Sequence, residues 1–146
     1  MRTAFLADIH SNLEALLSII NSLKNNNIDK VILLGDIVGY GADPNECIRI
    51  IREISDIVIA GNHDWACAGK DTIESFNPSA KDAAQWTRKV LTDQSRDFLL
   101  SLPLKKKPMM LFLFTQPHIS LKAGNILHPP QEQHTVLTAF LNSFAS

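Results

Sequence analysis

The sequence has little net charge, few cysteines and no long apolar run, and each shortage excludes a class of protein. Its 146 residues carry a formal net charge of −1, so no basic field indicates a nucleic-acid surface or an anionic membrane as a partner. No stretch reaches the roughly 20 apolar residues of a membrane span. The apolar run before Asp8 is too short for the core of a signal peptide. We therefore expect no membrane or nucleic-acid partner, and the sequence leaves the oligomeric state open.

The two cysteines give no sign of a disulfide or zinc framework. Cys47 and Cys67 form neither a Cys-x-x-Cys pair nor a zinc-ribbon spacing. Cys47 falls on the apolar side of a predicted helix, which favours a small buried thiol. These features predict reduced thiols and a cytoplasmic location.

Short apolar runs alternate with stretches of helical spacing along most of the chain. The apolar runs predict strands at 3–7, 30–34, 56–60 and 108–114. Caps and prolines predict helices that begin near Asn12, Pro44, Pro78 and Asp93. This order predicts an α/β fold with a mostly parallel sheet covered on its faces. In such a sheet the ligand site lies beyond the carboxyl ends of the strands.

Asp8 and His10 come directly after the first predicted strand. Residues two apart in an extended segment point the same way, so this carboxylate and this imidazole can meet one cation. Taken alone, the pair fits a helix-capping aspartate and a solvent-facing histidine better. The case for a metal site at this pair therefore depends on the residues that follow the other strands.

Polar residues also follow the second and third predicted strands. Asp36 either bridges two cations with its two oxygens or caps a turn. Asn62 offers a neutral oxygen ligand, and His63 can donate a proton or a hydrogen bond to a charged oxygen. Asp64 can orient that imidazole and raise its pKa. The alternative for 61–64 is an ordinary polar turn.

All three clusters fall at the same edge of one predicted sheet, which strengthens the functional interpretation. A mixed set of oxygen and imidazole ligands suits manganese, iron, zinc, nickel or cobalt better than calcium. The sequence has no glycine-rich phosphate loop and no serine nucleophile elbow. A receiver-like or nucleotide-binding module is therefore disfavoured.

The segments ADIHSNLEAL, LLGDIVGYGADPNECI and GNHDWACAG resemble the calcineurin-like metallophosphoesterases, in their bacterial phosphodiesterase or protein-phosphatase-like branch. The resemblance covers roughly the first hundred residues. It implies the N-terminal half of a β-sandwich flanked by helices, and hydrolysis of a phosphodiester or phosphomonoester substrate. It also implies two divalent transition metal ions, with manganese as the first candidate and iron, zinc, nickel or cobalt as alternatives. A metal-bound hydroxide would be the nucleophile.

The same resemblance implies a role for each matching residue. Asp8 and His10 would bind the first metal, Asp36 would bridge both metals, and Asn62 would bind the second. His63 would be catalytic, acting on the leaving group or stabilising the transition state, with Asp64 behind it as its partner.

The last part of the chain departs from the family pattern. The family carries further histidines in a His-Gly-Ser-Pro or His-Ala-Ser-Pro segment and in a later Gly-His-Thr-His segment. His118, His128 and His134 stand in no such motif. We therefore divide the chain into 1–114, the N-terminal part of a metallophosphoesterase domain, and 115–146, a divergent tail. The alternative function is a catalytically dead fragment that lacks the C-terminal metal-binding histidines.

The tail has two interpretations. Helical spacing indicates a terminal helix formed by Val136, Leu137, Phe140, Leu141 and Phe144. Alternatively, codons can be chosen for 114–125 so that the neighbouring reading frame gives His-Ala-Thr-Pro and then Trp-Glu, which resembles the missing family motif.

We predict a frameshift between about Lys105 and Leu113. Sequencing the gene across codons 105–125 and downstream of them checks it. The neighbouring frame should stay open and reach a Gly-His-Thr-His segment. An early stop codon there, or an open frame without that segment, would contradict the prediction.

Overall fold

The computed structural model describes residues 2–103 and a strand near the end of the chain. In chain order the elements are β1 (Thr3–Ala7), α1 (Leu13–Asn25), β2 (Lys30–Leu33), α2 (Pro44–Ile54), β3 (Ile57–Val58), α3 (Asn62–Ala68), α4 (Pro78–Val90), α5 (Asp93–Ser101) and β4 (Val136–Phe140). No helix in this described part is long and apolar enough to cross a membrane.

The four strands form one parallel sheet in the order β3-β2-β1-β4. The pairing of β1 with β2 runs from Thr3 opposite Lys30 to Leu6 opposite Leu33. Because all the strands are parallel, the carboxyl ends of β1, β2 and β3 lie at one edge of the sheet. The predicted α/β class is confirmed, and the three strand-end clusters of the sequence meet at this edge.

Asparagine and threonine side chains fix where three of the helices begin. Oδ1 of Asn12 accepts a hydrogen bond from the main-chain N–H of Ala15 at 3.0 Å. Asn77 does the same for Ala80 at 2.8 Å, and Thr92 caps α5. Each cap gives an orphan N–H of the first turn a partner. The predicted helix starts therefore agree closely with the structure.

The apolar residues of the helices pack on one face of the sheet. Leu6 and Leu33 of the sheet join buried residues from α1, α2 and α5 in one cluster, among them Leu16, Ile51 and Leu99. Alternate residues of a strand point to opposite faces. Phe5 and Ile32 accordingly form a second, smaller cluster on the other face.

The structure decides two alternatives that the sequence left open. The polar turn at 61–64 is the first turn of α3. The terminal helix is a strand at Val136–Phe140, which pairs with β1 from Thr3 to Ala7. This edge of β1 presents main-chain N–H and C=O groups that need partners, so pairing overrides the local helical spacing. The strand predicted at 108–114 lies outside the described residues.

Both cysteines are buried and free. Cys47 lies on the inner face of α2 and Cys67 lies near the end of α3. Burial raises the pKa of each thiol to about 12. The thiolate is the reactive form of cysteine. Both thiols should therefore react slowly, because they are buried and because they stay protonated.

We expect neither thiol to react with Ellman's reagent at mildly alkaline pH while the chain is folded, and both to react in denaturant. The absorbance of the released thiolate measures each reaction. Native-state reaction of either cysteine at the rate of the denatured chain would contradict this packing.

Candidate metal centre

The loop after β1 runs beside the loop after β2 and is hydrogen-bonded to it. The main-chain N–H of His10 donates to the carbonyl of Asp36 at 3.0 Å, and that of Ser11 donates to the carbonyl of Ile37 at 2.8 Å. These bonds continue the pairing of the two strands past their carboxyl ends. The side chains on both loops are therefore held in a fixed relation to each other.

Three acidic or imidazole side chains converge between these loops. One ligand atom each from Asp8, His10 and Asp36 lies within 4.8 Å of the other two. Nε2 of His10 is 3.8 Å from Oδ1 of Asp8. All three residues are half-buried, so they face a site that a small ion can reach. Two carboxylates and one imidazole form a donor set that suits a divalent transition metal.

The ring of His10 is oriented by the main chain. Its Nδ1 lies 3.1 Å from the carbonyl oxygen of Val38. A carbonyl oxygen only accepts, so Nδ1 carries the proton and donates it. In the neutral ring Nε2 then keeps its lone pair, and it lies on the side of Asp8. Such an outer hydrogen bond is the usual support of a metal-binding histidine.

The main chain is strained at the same residues. Asp8, His10 and Asp36 have φ values of 55°, 49° and 55°. This left-handed region is costly for residues other than glycine. Such strain persists only where surrounding contacts impose it, and it is concentrated at functional sites. The hydrogen bonds between the two loops supply that constraint here.

A fully buried carboxylate ties the second loop to the third. Oδ2 of Asp64 accepts hydrogen bonds from the main-chain N–H groups of Asp36 and Gly61, at 2.9 and 2.8 Å. Oδ1 accepts from those of Ile37 and Val38, at 2.8 and 3.1 Å. One side chain thus satisfies four N–H groups on two segments. It fixes the start of α3 against the loop that carries Asp36.

The charge state of Asp64 reflects opposing effects. Burial raises its pKa to about 7, and repulsion by Asp36 adds to the rise. Hydrogen bonds from Gly61, Val38 and Ile37 lower it. With two N–H donors on each oxygen, the geometry matches the ionised form, which only accepts.

Asp64 was expected to orient the imidazole of His63, and the structure gives it other partners. The carboxylate turns back to the N–H of Gly61 at the start of α3, as an acidic residue at the third helical position often does. Nδ1 of His63 is buried and has no hydrogen-bond partner in the described part of the chain. Burial lowers the pKa of His63, and the nearby charge of Asp36 opposes this shift.

The first turn of α3 brings the main chain of His63 to Asp36. The main-chain N–H of His63 donates to Oδ1 of Asp36 at 3.0 Å. Asn62 is the exposed first residue of the helix. All five predicted metal-site and imidazole residues therefore belong to three adjoining segments.

Sequence reasoning missed two aromatic residues beside the site. The ring of Tyr40 lies 5.0 Å from that of His10 and 4.9 Å from that of His63. Phe76 lies 4.5 Å from the ring of His63. Tyr40 stands in a Gly-Tyr-Gly segment that marks a tight loop. Phe76 carries no signal, since only the tertiary fold brings the loop before α4 to this edge.

Gly61 is needed for the close approach of α3 to Asp36. A Cβ at position 61 would overlap Oδ1 of Asp36 and lie 2.5 Å from its Cγ and main-chain N. These distances are too short for any non-bonded contact. Any side chain at position 61 would push the Asp36 carboxylate out of place.

Comparisons with known proteins agree with this arrangement. The family model described as calcineurin-like phosphoesterase matches residues 1–135. An uncharacterized protein of Methanocaldococcus jannaschii is 48% identical over 101 residues, which are 69% of this chain and 42% of that protein. The crystal structure of a metallophosphoesterase from Sphaerobacter thermophilus has a TM-score of 0.57 and 39% identity, over 69% of this chain and 41% of that one.

A second solved structure, assigned as a diadenosine tetraphosphatase, has a TM-score of 0.51 and 19% identity, over 70% of this chain and 47% of that one. At this identity the likeness shows the fold alone. The chain spans less than half the length of each of these relatives.

Gly61→Ala should weaken binding of Mn²⁺ by about tenfold or more, because its Cβ displaces the Asp36 carboxylate. Titration calorimetry measures the affinity. Gly69→Ala is the matched control: Gly69 has φ +86° and nothing within 4 Å of an added Cβ. It should cost about 1 kcal/mol of unfolding free energy and leave Mn²⁺ affinity unchanged. Equal affinities in the two variants would contradict the prediction.

Proposed function

The chain belongs to the calcineurin-like phosphoesterase family, and we propose that it hydrolyses phosphate esters with divalent metal ions. The observation that carries the proposal is the cluster of Asp8, His10 and Asp36, whose ligand atoms lie within 4.8 Å of one another. The cluster lies at the carboxyl edge of a parallel sheet, where α/β proteins bind their ligands.

The proposal extends to two divalent ions. We assign Asp8 and His10 to the first metal, Asp36 to both, and Asn62 to the second. A carboxylate has about four lone-pair positions on its two oxygens. Asp36 uses one of them on the N–H of His63 and keeps the others for metal. Manganese is our first candidate, with iron, zinc, nickel or cobalt as alternatives.

The protein's own residues have distinct parts in this proposal. When bound, a pair of divalent ions supplies positive charge that activates water and offsets charge on the phosphoryl oxygens. His63, buried beside Asp36, gives a hydrogen-bond donor for an oxygen of a phosphodiester or phosphomonoester. Asp64 is a positioning residue, because its oxygens hold main-chain N–H groups and not a substrate.

A second candidate is a non-catalytic metal binder. His118, His128 and His134 stand in no family motif, so none of them is assigned to a metal. With fewer imidazole ligands, one metal would bind weakly and no turnover would follow. Metal stoichiometry and turnover therefore distinguish the two candidates.

The purified chain should hydrolyse an aryl phosphodiester or phosphomonoester when Mn²⁺ is added, and EDTA should abolish this. Asp36→Asn should lower turnover by on the order of 100-fold, because one ligand oxygen becomes an amide nitrogen. Release of the phenolate gives the rate. The control is Asp82→Asn, at an exposed carboxylate on α4, which should retain full activity.

Calorimetric titration with Mn²⁺ completes the test. Binding of two ions together with turnover supports the proposal. Binding of one ion at most, without turnover above the Asp36→Asn variant, would favour the non-catalytic candidate.

A further inference from the structure

The imidazole of His63 has no polar anchor in the described part of the chain. Its Nδ1 is buried without a hydrogen-bond partner, and both oxygens of Asp64 are used by main-chain N–H groups. An added Cβ at Gly39 would lie 2.7 Å from Nδ1, so the main chain of Gly39 covers that nitrogen. Something other than a hydrogen bond must fix the ring.

Aromatic rings surround the imidazole at contact distance. The centroid of Phe76 lies 4.5 Å from that of His63 with an interplanar angle of 34°. The centroid of the Tyr40 ring lies 4.9 Å from that of His63, with an interplanar angle of 38°. The ring of His10 meets His63 edge-on, at 4.9 Å and 77°. These separations fall in the range of favourable aromatic pairs, which stabilise a structure beyond the burial of their surface.

We propose that Tyr40 and Phe76 are positioning residues that hold the imidazole of His63 in place by ring contacts, in the role expected of a hydrogen-bonding carboxylate. The inference rests on the proposed function, because it is His63 that acts on the substrate. Confinement between rings limits the two side-chain torsions of His63 without using either ring nitrogen.

Hydrogen bonds at Phe76 and at the next residue fix the main chain where the loop ends. The main-chain N–H of Phe76 donates to the carbonyl of Ile73 at 3.1 Å. The next residue, Asn77, caps α4 through Ala80. The residue that ends the loop therefore starts a helix, which fixes the direction in which Phe76 leaves the main chain.

Arg88, three turns into α4, fixes the other end of the same loop. Its Nη2 donates to the carbonyl of Asp71 at 3.1 Å. Its Nε donates to the carbonyl of Ala66 in the last turn of α3 at 2.7 Å, where a cation also complements the helix dipole. One side chain thus ties α3, which carries His63, to the loop that carries Phe76.

Tyr40 is held by the loops of the metal centre. Its φ is 61°, and the N–H of the following Gly41 donates to the carbonyl of His10 at 2.9 Å. The edge-on contact of Tyr40 with the His10 ring has an interplanar angle of 86°. Tyr40 therefore couples the position of the His63 ring to a proposed metal ligand.

The test is a double-mutant cycle in the Mn²⁺-loaded chain. Phe76→Leu removes one ring and keeps an apolar side chain, and His63→Gln removes the group that it positions. Phe76→Leu should lower kcat by about tenfold, which is a part of the roughly 100-fold or more that a positioned proton donor contributes, and leave KM within about twofold. In the His63→Gln background the same change should have no further effect on kcat.

Phe98→Leu is the matched control for lost packing. Phe98 is a half-buried phenylalanine against the same core, and its ring contacts Arg52 rather than the site. It should lower the melting temperature like Phe76→Leu and leave kcat unchanged. A Phe76→Leu effect that equals the Phe98→Leu effect, or that persists in full in the His63→Gln background, would overturn the inference.

NMR of the His63 ring protons gives a readout that does not need turnover. Rings at these distances should shift the His63 signals upfield, and the His63→Gln spectrum identifies them. Phe76→Leu should move them toward the values of a free histidine, and Phe98→Leu should not. An inactive chain that shows these shifts would contradict the proposed function and support the positioning of His63 by Tyr40 and Phe76. An active chain whose His63 signals do not change in Phe76→Leu would support the proposed function and contradict the positioning role.

Discussion

The arrangement of the site depends on one buried carboxylate. Asp64 accepts four main-chain hydrogen bonds, from Asp36, Ile37, Val38 and Gly61. A buried charge is very costly unless its hydrogen-bonding capacity is satisfied. The four donors meet that requirement, and in return the carboxylate joins two segments that are far apart in sequence. Neither the Asp36 loop nor the first turn of α3 would hold its position without this charge between them.

The other constraints build on that junction. With the Asp36 loop fixed, its carbonyls accept hydrogen bonds from the loop after β1, and strained conformations at Asp8, His10 and Asp36 are maintained. Because α3 is held close, the main-chain N–H of His63 reaches Asp36. Backbone strain and a buried charge both reduce the free energy of unfolding. Packing of the apolar core under the sheet raises the free energy of unfolding and compensates for this loss at the site.

Sequence patterns predicted the sheet edge and the polar residues that gather at it, for a physical reason. Short apolar runs stop where the main chain leaves the sheet, and polar residues follow at once, as after β1 and β2. Parallel strands bring those ends together whatever the later details of packing. The strand at Val136–Phe140 and the helix α3 were missed because each depends on a partner. β4 needs the edge of β1, and α3 starts where Asp64 caps its own helix.

By itself, the sequence determined the α/β class, the helix starts near Asn12, Pro78 and Asp93, and Asp8, His10 and Asp36 as a converging set. These follow from residue periodicity, capping and the geometry of parallel strands, which are local or topological. Only the tertiary structure decided how His63 is held. Asp64 lies next to it in sequence and bonds to main-chain groups, whereas Phe76, from a separate loop, lies against its ring. Side-chain partners depend on which atoms the fold brings within reach, and no spacing in the chain encodes that.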